Sequence, residues 1–197
     1  DLDLAMGVAS SLRRQTDLNF RVILLLNGIE EAEEFTNLLD IFELQVLHSA
    51  HTLPFFAALN RLLEAADPTE IIIRVDPDDR CFPDRVALTR EAISALDFSK
   101  FILYGSAINV MNQAGSFVRE QKDAEEHFAS GLITNPIVHS ATAFYAREIL
   151  SIGGYPPFIK AQDLALWVNC YQKGFKFIGV SQPFVEFNMP SDAVKKR

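Results

Sequence analysis

Helical and extended hydrophobic patterns alternate along the first part of the chain, and this alternation limits the folds it can adopt. Apolar residues recur at helical spacing from Ala5 to Leu12, and Phe20–Leu26 (FRVILLL) is then typical of a buried strand. The alternation continues through a helix at Phe35–Phe42, a strand at Leu44–Leu47, a helix at Phe55–Ala66 and a strand at Ile71–Val75. Strands separated by helices of this length predict parallel strands with covering helices, which is an α/β layer fold.

The pattern becomes less regular after Val75. A helix is predicted to begin at Asp84, directly after Pro83, and to continue through Leu96. Strands are predicted at Phe101–Tyr104, Ala107–Met111, Ser116–Arg119, Thr142–Ala146 and Lys176–Gly179, with a turn at Asn112–Gly115, a polar stretch at Glu120–Glu126 and a helix across Leu164–Tyr171. The sequence therefore predicts a single mixed-sheet domain over residues 1–197, with a regular parallel half at 1–98 and a less regular half at 99–197.

The apolar content of the chain is high, because 49% of the residues are hydrophobic and 16 are Phe. These residues do not form a membrane span. The longest apolar run, Val22–Leu26, is far shorter than the roughly 20 residues that a spanning helix needs. They therefore belong to a core or to a surface that something else covers.

Net charge and cysteine usage exclude some functions. A formal net charge of −8 and a pI near 5.0 argue against nucleic acid as a partner, because phosphate binding needs clusters of Lys and Arg. The only basic run, Lys195–Arg197, is typical of a solvated tail, with peripheral membrane association as the alternative. Cys81 and Cys170 lack metal-ligand spacing, so we expect reduced thiols in a cytoplasmic protein, at the inner face of the membrane if that tail binds lipid.

The most informative segment is an apolar strand followed by three carboxylates. Asp76, Asp78 and Asp79 come directly after Ile71–Val75, and ligands bind beyond the carboxyl ends of strands in open α/β sheets. Carboxylates this close repel one another unless a cation lies among them, and Mg²⁺ takes carboxylate and phosphate oxygens. The alternative is an acidic turn that caps the helix after Pro83. These residues alone favour neither interpretation.

Two further residues have both a structural and a chemical interpretation. Asp163 begins an amphipathic helix, where Asp is a favoured cap, so local evidence favours a cap over a general base. His139 lies beside predicted strands, where a single His more often satisfies a hydrogen bond than transfers a proton. No G-x-S-x-G, G-x-G-x-x-G or P-loop motif occurs, which weakens hydrolase, dehydrogenase and kinase interpretations.

Taken in order along the chain, several segments resemble the motifs of family 2 glycosyltransferases of the GT-A fold. Arg74–Val86 closely matches R-x-D-x-D-D-x-x-x-P-x-R followed by a hydrophobic residue. The other similar segments are Ser11–Thr16 (S-L-x-x-Q-T), Ala57–Asn60 (A-x-N), Asn135–Ser140 (N-P-I-x-H-x-[ST]), Gly153–Tyr155 (G-G-[YF]) and Gln162–Trp167 (E-D-x-x-L-W except at its first position). The resemblance covers nearly the whole chain.

This resemblance implies a metal-dependent inverting transfer of a sugar from a nucleoside-diphospho-sugar donor to a saccharide or lipid-linked saccharide acceptor. It places Asp76 near the ribose and the metal, and Asp78 and Asp79 on a Mn²⁺ or Mg²⁺ ion that bridges the diphosphate. It makes Asp163 the general base on the acceptor hydroxyl. The remaining matched positions are Asn27 and Asn60 on the donor side, and His139, Gly153, Gly154, Gln162 and Trp167 on the acceptor side. Residues 1–98 would form the nucleotide-binding half and 99–197 the acceptor-side half.

The chain departs from the family in two regions. The family begins with a strand that ends in P-x-[YF]-N, whereas this chain begins at the following helix. We therefore predict that Phe20–Leu26 and Ile71–Val75 flank a gap, or a strand supplied from outside. The family's acidic D-D-G-S corresponds to Leu26–Ile29, where Asn27 replaces a carboxylate, and Gln162 replaces Glu.

The motifs and the departures from them leave three hypotheses for the function. The first is a sugar transferase of surface or secreted polysaccharide synthesis. The second is a catalytically inactive GT-A domain that binds a sugar or a partner, and the departures in the first half are its support. The third is a nucleotidyltransferase, which would need a Gly-rich phosphate loop near the start of the chain, and none occurs.

Overall fold

The structure is a computed structural model that describes residues 2–29, 33–111, 115–119, 123–131 and 134–187. The helices are α1 (Leu2–Arg13), α2 (Glu33–Leu38), α3 (Phe55–Glu64), α4 (Arg85–Ser94), α5 (Ala124–Ala129), α6 (Ala146–Ser151) and α7 (Gln162–Gln172). The strands are β1 (Arg21–Asn27), β2 (Glu43–Ser49), β3 (Ile71–Ile73), β4 (Arg80–Cys81), β5 (Phe101–Met111), β6 (Gly115–Arg119), β7 (Thr142–Tyr145) and β8 (Lys176–Phe187). No helix of the described residues is long and apolar enough to cross a membrane.

The strands form two sheets. β1 and β2 pair in parallel, from Arg21 opposite Glu43 to Asn27 opposite Ser49. The second sheet has the order β3-β7-β5-β8-β4, with β6 paired to β5. β5 runs parallel to β8 but antiparallel to β6 and β7. The predicted mixed-sheet α/β fold is therefore confirmed, and the parallel pairing of its first half is seen in β1 and β2.

β1 and β3 lie in different sheets and are not hydrogen-bonded to each other. Arg21, the first residue of β1, reaches Glu70, which directly precedes β3, with Nε–Oε1 and Nη2–Oε2 distances of 2.5 and 2.6 Å. The starts of the two strands are thus linked by one ion pair rather than by a ladder. The three side chains of β3 are only half-buried, as expected of an apolar strand with an uncovered edge. The absence of direct pairing between these two strands agrees with the prediction, and the gap between them stays a prediction.

Alternation along β5 explains why helices cover both faces of the larger sheet, because successive side chains of a strand point to opposite faces. Phe101 and Leu103 pack in a cluster with Ile93 of α4. Ile102 and Tyr104 pack on the other face, in a cluster that includes side chains of α3, α5 and α7. A third cluster lies between α1, α2 and β1. The core is therefore divided among layers on both sides of the sheet.

Several elements differ from the sequence-based expectation. No helix was predicted in the polar stretch Glu120–Glu126. α5 nevertheless begins within it, where Asp123 caps the helix by accepting a hydrogen bond from the Glu126 N–H at 3.0 Å. α6, β4 and a 3₁₀ turn at His139–Ala141 were not predicted. The two expected strands at Phe101–Tyr104 and Ala107–Met111 are one strand, and β8 continues beyond Gly179. Residues 112–114 of the predicted turn lie outside the described residues.

The unpaired edges of β1 and β3 generate a prediction. Joining an apolar segment of about six residues ahead of α1 should raise the Tm by about 5 °C or more, since backbone groups at both edges gain partners. Hydrogen exchange should show slower exchange at β1 and β3 amides. A segment of equal length made of Gly and Ser is the control, and equal protection by both segments would contradict the gap as a strand site.

Candidate active site

The acidic loop, Asp76–Asp79, follows β3 and is held in place by Ser140. The Ser140 hydroxyl donates to Oδ2 of Asp76 at 2.6 Å and accepts the Asp76 N–H at 3.0 Å. The other carboxylate oxygen, Oδ1, is bonded by the guanidinium of Arg74. Burial alone raises the pKa of Asp76, but the charge of Arg74 and these hydrogen bonds hold it below its usual range. Asp76 is therefore an ionised carboxylate with donors on both oxygens.

Asp79 has the opposite electrostatic situation. Its side chain is buried, and burial raises its pKa to about 6, to which the charges of Asp76 and Asp78 contribute. Asp78 is exposed. Within the described ranges, no Lys, Arg or His forms an ion pair with Asp79. An ionised Asp79 is therefore a source of repulsion inside the loop.

The loop is chemically suited to a divalent cation but does not form a finished metal cage. Among the described residues, no three His, Cys, Asp or Glu side chains group so as to hold a metal ion. The carboxylate oxygens of Asp76, Asp78 and Asp79 are nevertheless the ligand type that hard cations take, and a cation would relieve their repulsion. The donor set fits Mn²⁺ or Mg²⁺, with further ligands required from elsewhere.

The segment Ser11–Thr16 fastens α1 to the chain that follows the acidic loop. The Gln15 amide donates to the Phe82 carbonyl at 2.8 Å and accepts the Val86 N–H at 3.1 Å. The Ser11 hydroxyl accepts the Cys81 N–H at 3.0 Å. The motif at Ser11–Thr16 therefore has a structural role, which its resemblance to a family motif did not reveal.

Cys81 and Cys170 are both free and buried.

Arg85 joins the acidic loop to the 3₁₀ turn. Its side chain is buried, and Nη2 donates to the carbonyls of Arg74 at 2.6 Å and Ser140 at 2.5 Å. These two carbonyls belong to the segments that carry Asp76 and its partner Ser140. Sequence reasoning had no role for Arg74, Arg85 or Ser140, although all three lie inside the matched motifs.

His139 is a neutral hydrogen-bonding residue. Its Nε2 lies 2.8 Å from the Tyr155 hydroxyl, and burial, followed by the charge of Arg74, lowers its pKa to about 3. The Trp167 ring meets His139 edge-on, with centroids 6.0 Å apart. Trp167 is fully buried, and its Nε1 has no partner among the described residues. The structure thus places Trp167 in the core behind His139 rather than at the surface.

Asn60 holds the glycine loop against α3. Its Nδ2 donates to the Tyr155 carbonyl at 3.0 Å and its Oδ1 accepts the Tyr155 N–H at 2.7 Å. Gly153 and Gly154 have φ values of 97° and 70°, and a Cβ at Gly154 would lie 2.4 Å from Oδ1 of Asn60. Only glycine therefore fits at position 154, because the close approach and the positive φ both exclude a side chain.

Asn27, at the end of β1, makes a similar pair of bonds. Its Nδ2 donates to the Leu53 carbonyl at 3.1 Å and its Oδ1 accepts the Leu53 N–H at 2.7 Å. Both amide side chains assigned to donor binding, Asn27 and Asn60, are thus bonded to backbone groups. Their contact with a donor remains a prediction.

Asp163 lies in the first turn of α7, but it does not cap the helix. The N-cap position is Ala161, which has a left-handed φ of 55° and makes no side-chain cap. Instead, the Asn135 amide donates to Oδ2 of Asp163 at 2.5 Å. Oδ1 of Asn135 accepts the Ile137 N–H at 3.2 Å, which fixes the orientation of the amide. The neighbouring Gln162 is buried.

Tyr155 connects the two acidic regions. The pKa of its hydroxyl is raised, first by burial and also by the charges of Asp76 and Asp163, whereas the charge of Arg74 lowers it. Both carboxylates are therefore close enough to act on the same buried hydroxyl. The structure brings Asp76, Asp79, His139, Gly154 and Asp163 into one region, and joins Asn27 to a separate segment at Leu53.

Comparisons with known proteins were made at the level of families, sequences and structures. No protein-family model matches the chain. No curated protein sequence matches it. Solved structures do match. S. aureus TarS has 14% identity over 98% of this chain and 36% of that chain, with a TM-score of 0.71. A Pyrobaculum calidifontis mannosyltransferase in complex with GDP-Man and Mn²⁺ has 17% identity over 97% and 55%, with a TM-score of 0.66. GalNAc-T7 with UDP, GalNAc and Mn²⁺ has 12% identity over 92% and 40%, with a TM-score of 0.67.

The chain has the GT-A fold. The likeness to the GT-A glycosyltransferases extends over nearly all of this chain, while the chain spans between 36% and 55% of the lengths of these three proteins. In this GT-A fold the acidic loop follows β3, and Asp163 lies in the first turn of α7.

The raised pKa of Asp79 predicts a pH-dependent gain in stability on substitution. Because its folded pKa is about 6 and its ordinary value is 3.8, wild-type stability is greatest below the ordinary value and falls as pH rises through the folded value. Asp79→Asn should therefore stabilise the metal-free fold by about 1–3 kcal/mol near pH 7.5, and by less near pH 5. Thermal unfolding with a chelator at both pH values measures this. The exposed neighbour provides the control, Asp78→Asn, which should change stability less, and equal shifts in the two variants would contradict the assignment.

Proposed function

We propose that this GT-A domain is the catalytic part of a metal-dependent inverting glycosyltransferase that moves a sugar from a nucleoside-diphospho-sugar to an acceptor hydroxyl, in surface polysaccharide synthesis. The observation that carries the proposal is that two separate carboxylate centres, the Asp76–Asp79 loop and Asp163, both lie near Tyr155, since the charges of Asp76 and Asp163 both raise the pKa of its hydroxyl. The solved structures with UDP, GDP-Man and Mn²⁺ support the donor class.

The donor side is assigned to residues 1–98. Asp78 and Asp79, with Asp76, would hold Mn²⁺ or Mg²⁺, which when bound would offset the charge on the leaving diphosphate. Ser140 orients Asp76 through its two hydrogen bonds. Asn27 shapes the donor wall through the backbone of Leu53, since its amide groups are already bonded.

The acceptor side is assigned to residues 99–197. An acceptor hydroxyl would lose its proton to a carboxylate oxygen of Asp163 while its oxygen forms the bond to the anomeric carbon and the bond to the diphosphate breaks. Asn135 holds that carboxylate in a fixed orientation. His139 stays neutral at working pH because of its low pKa. It would line the acceptor side with Gly153, Gly154 and Gln162, and Trp167 would support it from behind.

The loop that precedes α7 carries exposed apolar side chains. Phe158 and Ile159, shortly before α7, are 56% and 94% exposed. Exposed apolar side chains next to the segment that carries Asp163 favour an acceptor with an apolar part, such as a lipid-linked saccharide. The same loop and the basic run Lys195–Arg197, whose structure lies outside the described residues, are the basis for peripheral membrane association.

A second candidate function is a catalytically inactive GT-A domain that binds a sugar or a partner. The observation that favours it is the ion pair between Arg74 and Asp76, because it occupies a carboxylate that the metal would need. Among the described residues, β1 and β3 also lack the pairing with each other, or with a strand between them, that the family pattern implies.

Donor binding is expected to require the cation. UDP or GDP should bind with Mn²⁺ at least about tenfold more tightly than without it, and Asp78→Ala should remove this gain. Isothermal calorimetry measures both affinities. Asp97→Ala removes an exposed carboxylate elsewhere and is the matched control. Equal affinity with and without Mn²⁺ would assign the acidic loop to a structural turn.

Catalysis is expected to depend on Asp163. Asp163→Asn keeps the shape of the side chain but removes the proton acceptor, so kcat should fall by about 10²–10⁴-fold. The Tm and the affinity for the metal–nucleotide should change little, because Asp163 is neither the helix cap nor part of the acidic loop. Turnover with a competent donor and acceptor tests this. Near-wild-type kcat in the variant would exclude Asp163 as the base, whereas wild-type donor binding without turnover on any acceptor would favour the inactive domain.

A further inference from the structure

Arg74 occupies the place that a cation would take at Asp76. Its Nη2 bonds Oδ1 of Asp76 and its Nη1 bonds the Val75 carbonyl. The side chain is only 10% exposed, and that of Asp76 is 25% exposed. Since Oδ2 of Asp76 is bonded by Ser140, both oxygens of this carboxylate are already engaged within the protein.

The backbone of Arg74 is fixed by two hydrogen bonds, so any movement away from Asp76 falls to its side chain. Its backbone N–H donates to the Thr142 carbonyl at 3.0 Å, and its carbonyl accepts from Arg85 at 2.6 Å. The guanidinium carbon lies 5.9 Å from the centre of the Phe55 ring, and Phe55 is 48% exposed. An aromatic face at the edge of the site can support a guanidinium as it moves.

The hydrogen bonding of Arg74 is incomplete where it lies. Its Nε is buried and has no partner among the described residues. A buried donor without a partner costs free energy, so an anion that reached this guanidinium would satisfy it better than Asp76 alone does. A diphosphate is such an anion, because the planar donors of arginine match phosphate oxygens.

We propose that Arg74 is a resident counter-ion that makes cation binding at Asp76 depend on the nucleoside diphosphate. A divalent cation that arrives alone must displace the guanidinium and is repelled by it. When the diphosphate is present, Arg74 moves from Asp76 to the phosphate oxygens and the carboxylate becomes available to the cation. This inference rests on the proposed function and adds an order of binding, in which the metal enters with the nucleotide.

The test is the affinity for Mn²⁺ alone. Arg74→Gln removes the competing charge, so Mn²⁺ without nucleotide should bind about tenfold more tightly than to the wild type. The gain in Mn²⁺ affinity that UDP or GDP produces should shrink in the variant. Calorimetry, or the electron paramagnetic resonance signal of free Mn²⁺, measures both. Arg90→Gln is the matched control, since Arg90 pairs with Asp17 on an exposed surface and its loss should leave Mn²⁺ affinity unchanged.

The outcomes separate this inference from the proposed function. Equal Mn²⁺ affinity in wild type and Arg74→Gln, with nucleotide binding intact, overturns the role of Arg74 alone. If neither protein binds nucleotide or Mn²⁺ in any combination, the proposed function fails as well. If Arg74→Gln does not fold, Arg74→Lys replaces it. Its single ammonium cannot reproduce the paired contacts of the guanidinium, so a smaller gain in Mn²⁺ affinity is expected, and no gain overturns the inference.

Discussion

The buried guanidinium of Arg85 connects the two chain segments on which the candidate site is built. It bonds the carbonyls of Arg74 and Ser140, and the Phe184 ring of β8 packs against it with its centre 5.7 Å from the guanidinium carbon. The acidic loop and the 3₁₀ turn are thereby held at a fixed separation, and Ser140 can clamp Asp76. An apolar side chain at this position would leave two buried carbonyls without a donor, which is costly in a dry interior. The site therefore depends on a residue that would touch no substrate.

The titratable side chains of the candidate site lie in different electrostatic environments. Asp76 is neutralised by Arg74, burial raises the pKa of Asp79 to about 6, and burial lowers the pKa of His139 to about 3. These environments differ although the residues are neighbours, and such divergence of pKa values is typical of functional sites. The carboxylate of Asp163 accepts a hydrogen bond from the Asn135 amide.

Hydrophobic periodicity was sufficient to predict most of the alternating elements of the first half, because β1 and β3 contain continuous apolar runs. The mixed sheet also followed, as did the absence of pairing between β1 and β3, which the family resemblance implied. Short elements such as α6 escaped prediction because six residues give too little periodicity. The motifs located the acidic loop and α7, but they did not show which side chains are hydrogen-bonded to one another. That Asn60 bonds the backbone of Tyr155, or that Asn135 bonds Asp163, depends on tertiary contacts that no local pattern encodes.

The bonds that assemble the site join residues far apart in the sequence. Ser140 and Asp76 are separated by 64 positions, and Asn60 and Tyr155 by 95. Loop-closure entropy must be overcome before such contacts contribute, and non-local pairing slows folding. The two carboxylate centres should therefore come together only late in folding. During synthesis on the ribosome, the acidic loop would emerge well before Ser140 and Tyr155, so this domain should acquire its site only when nearly the whole chain is available.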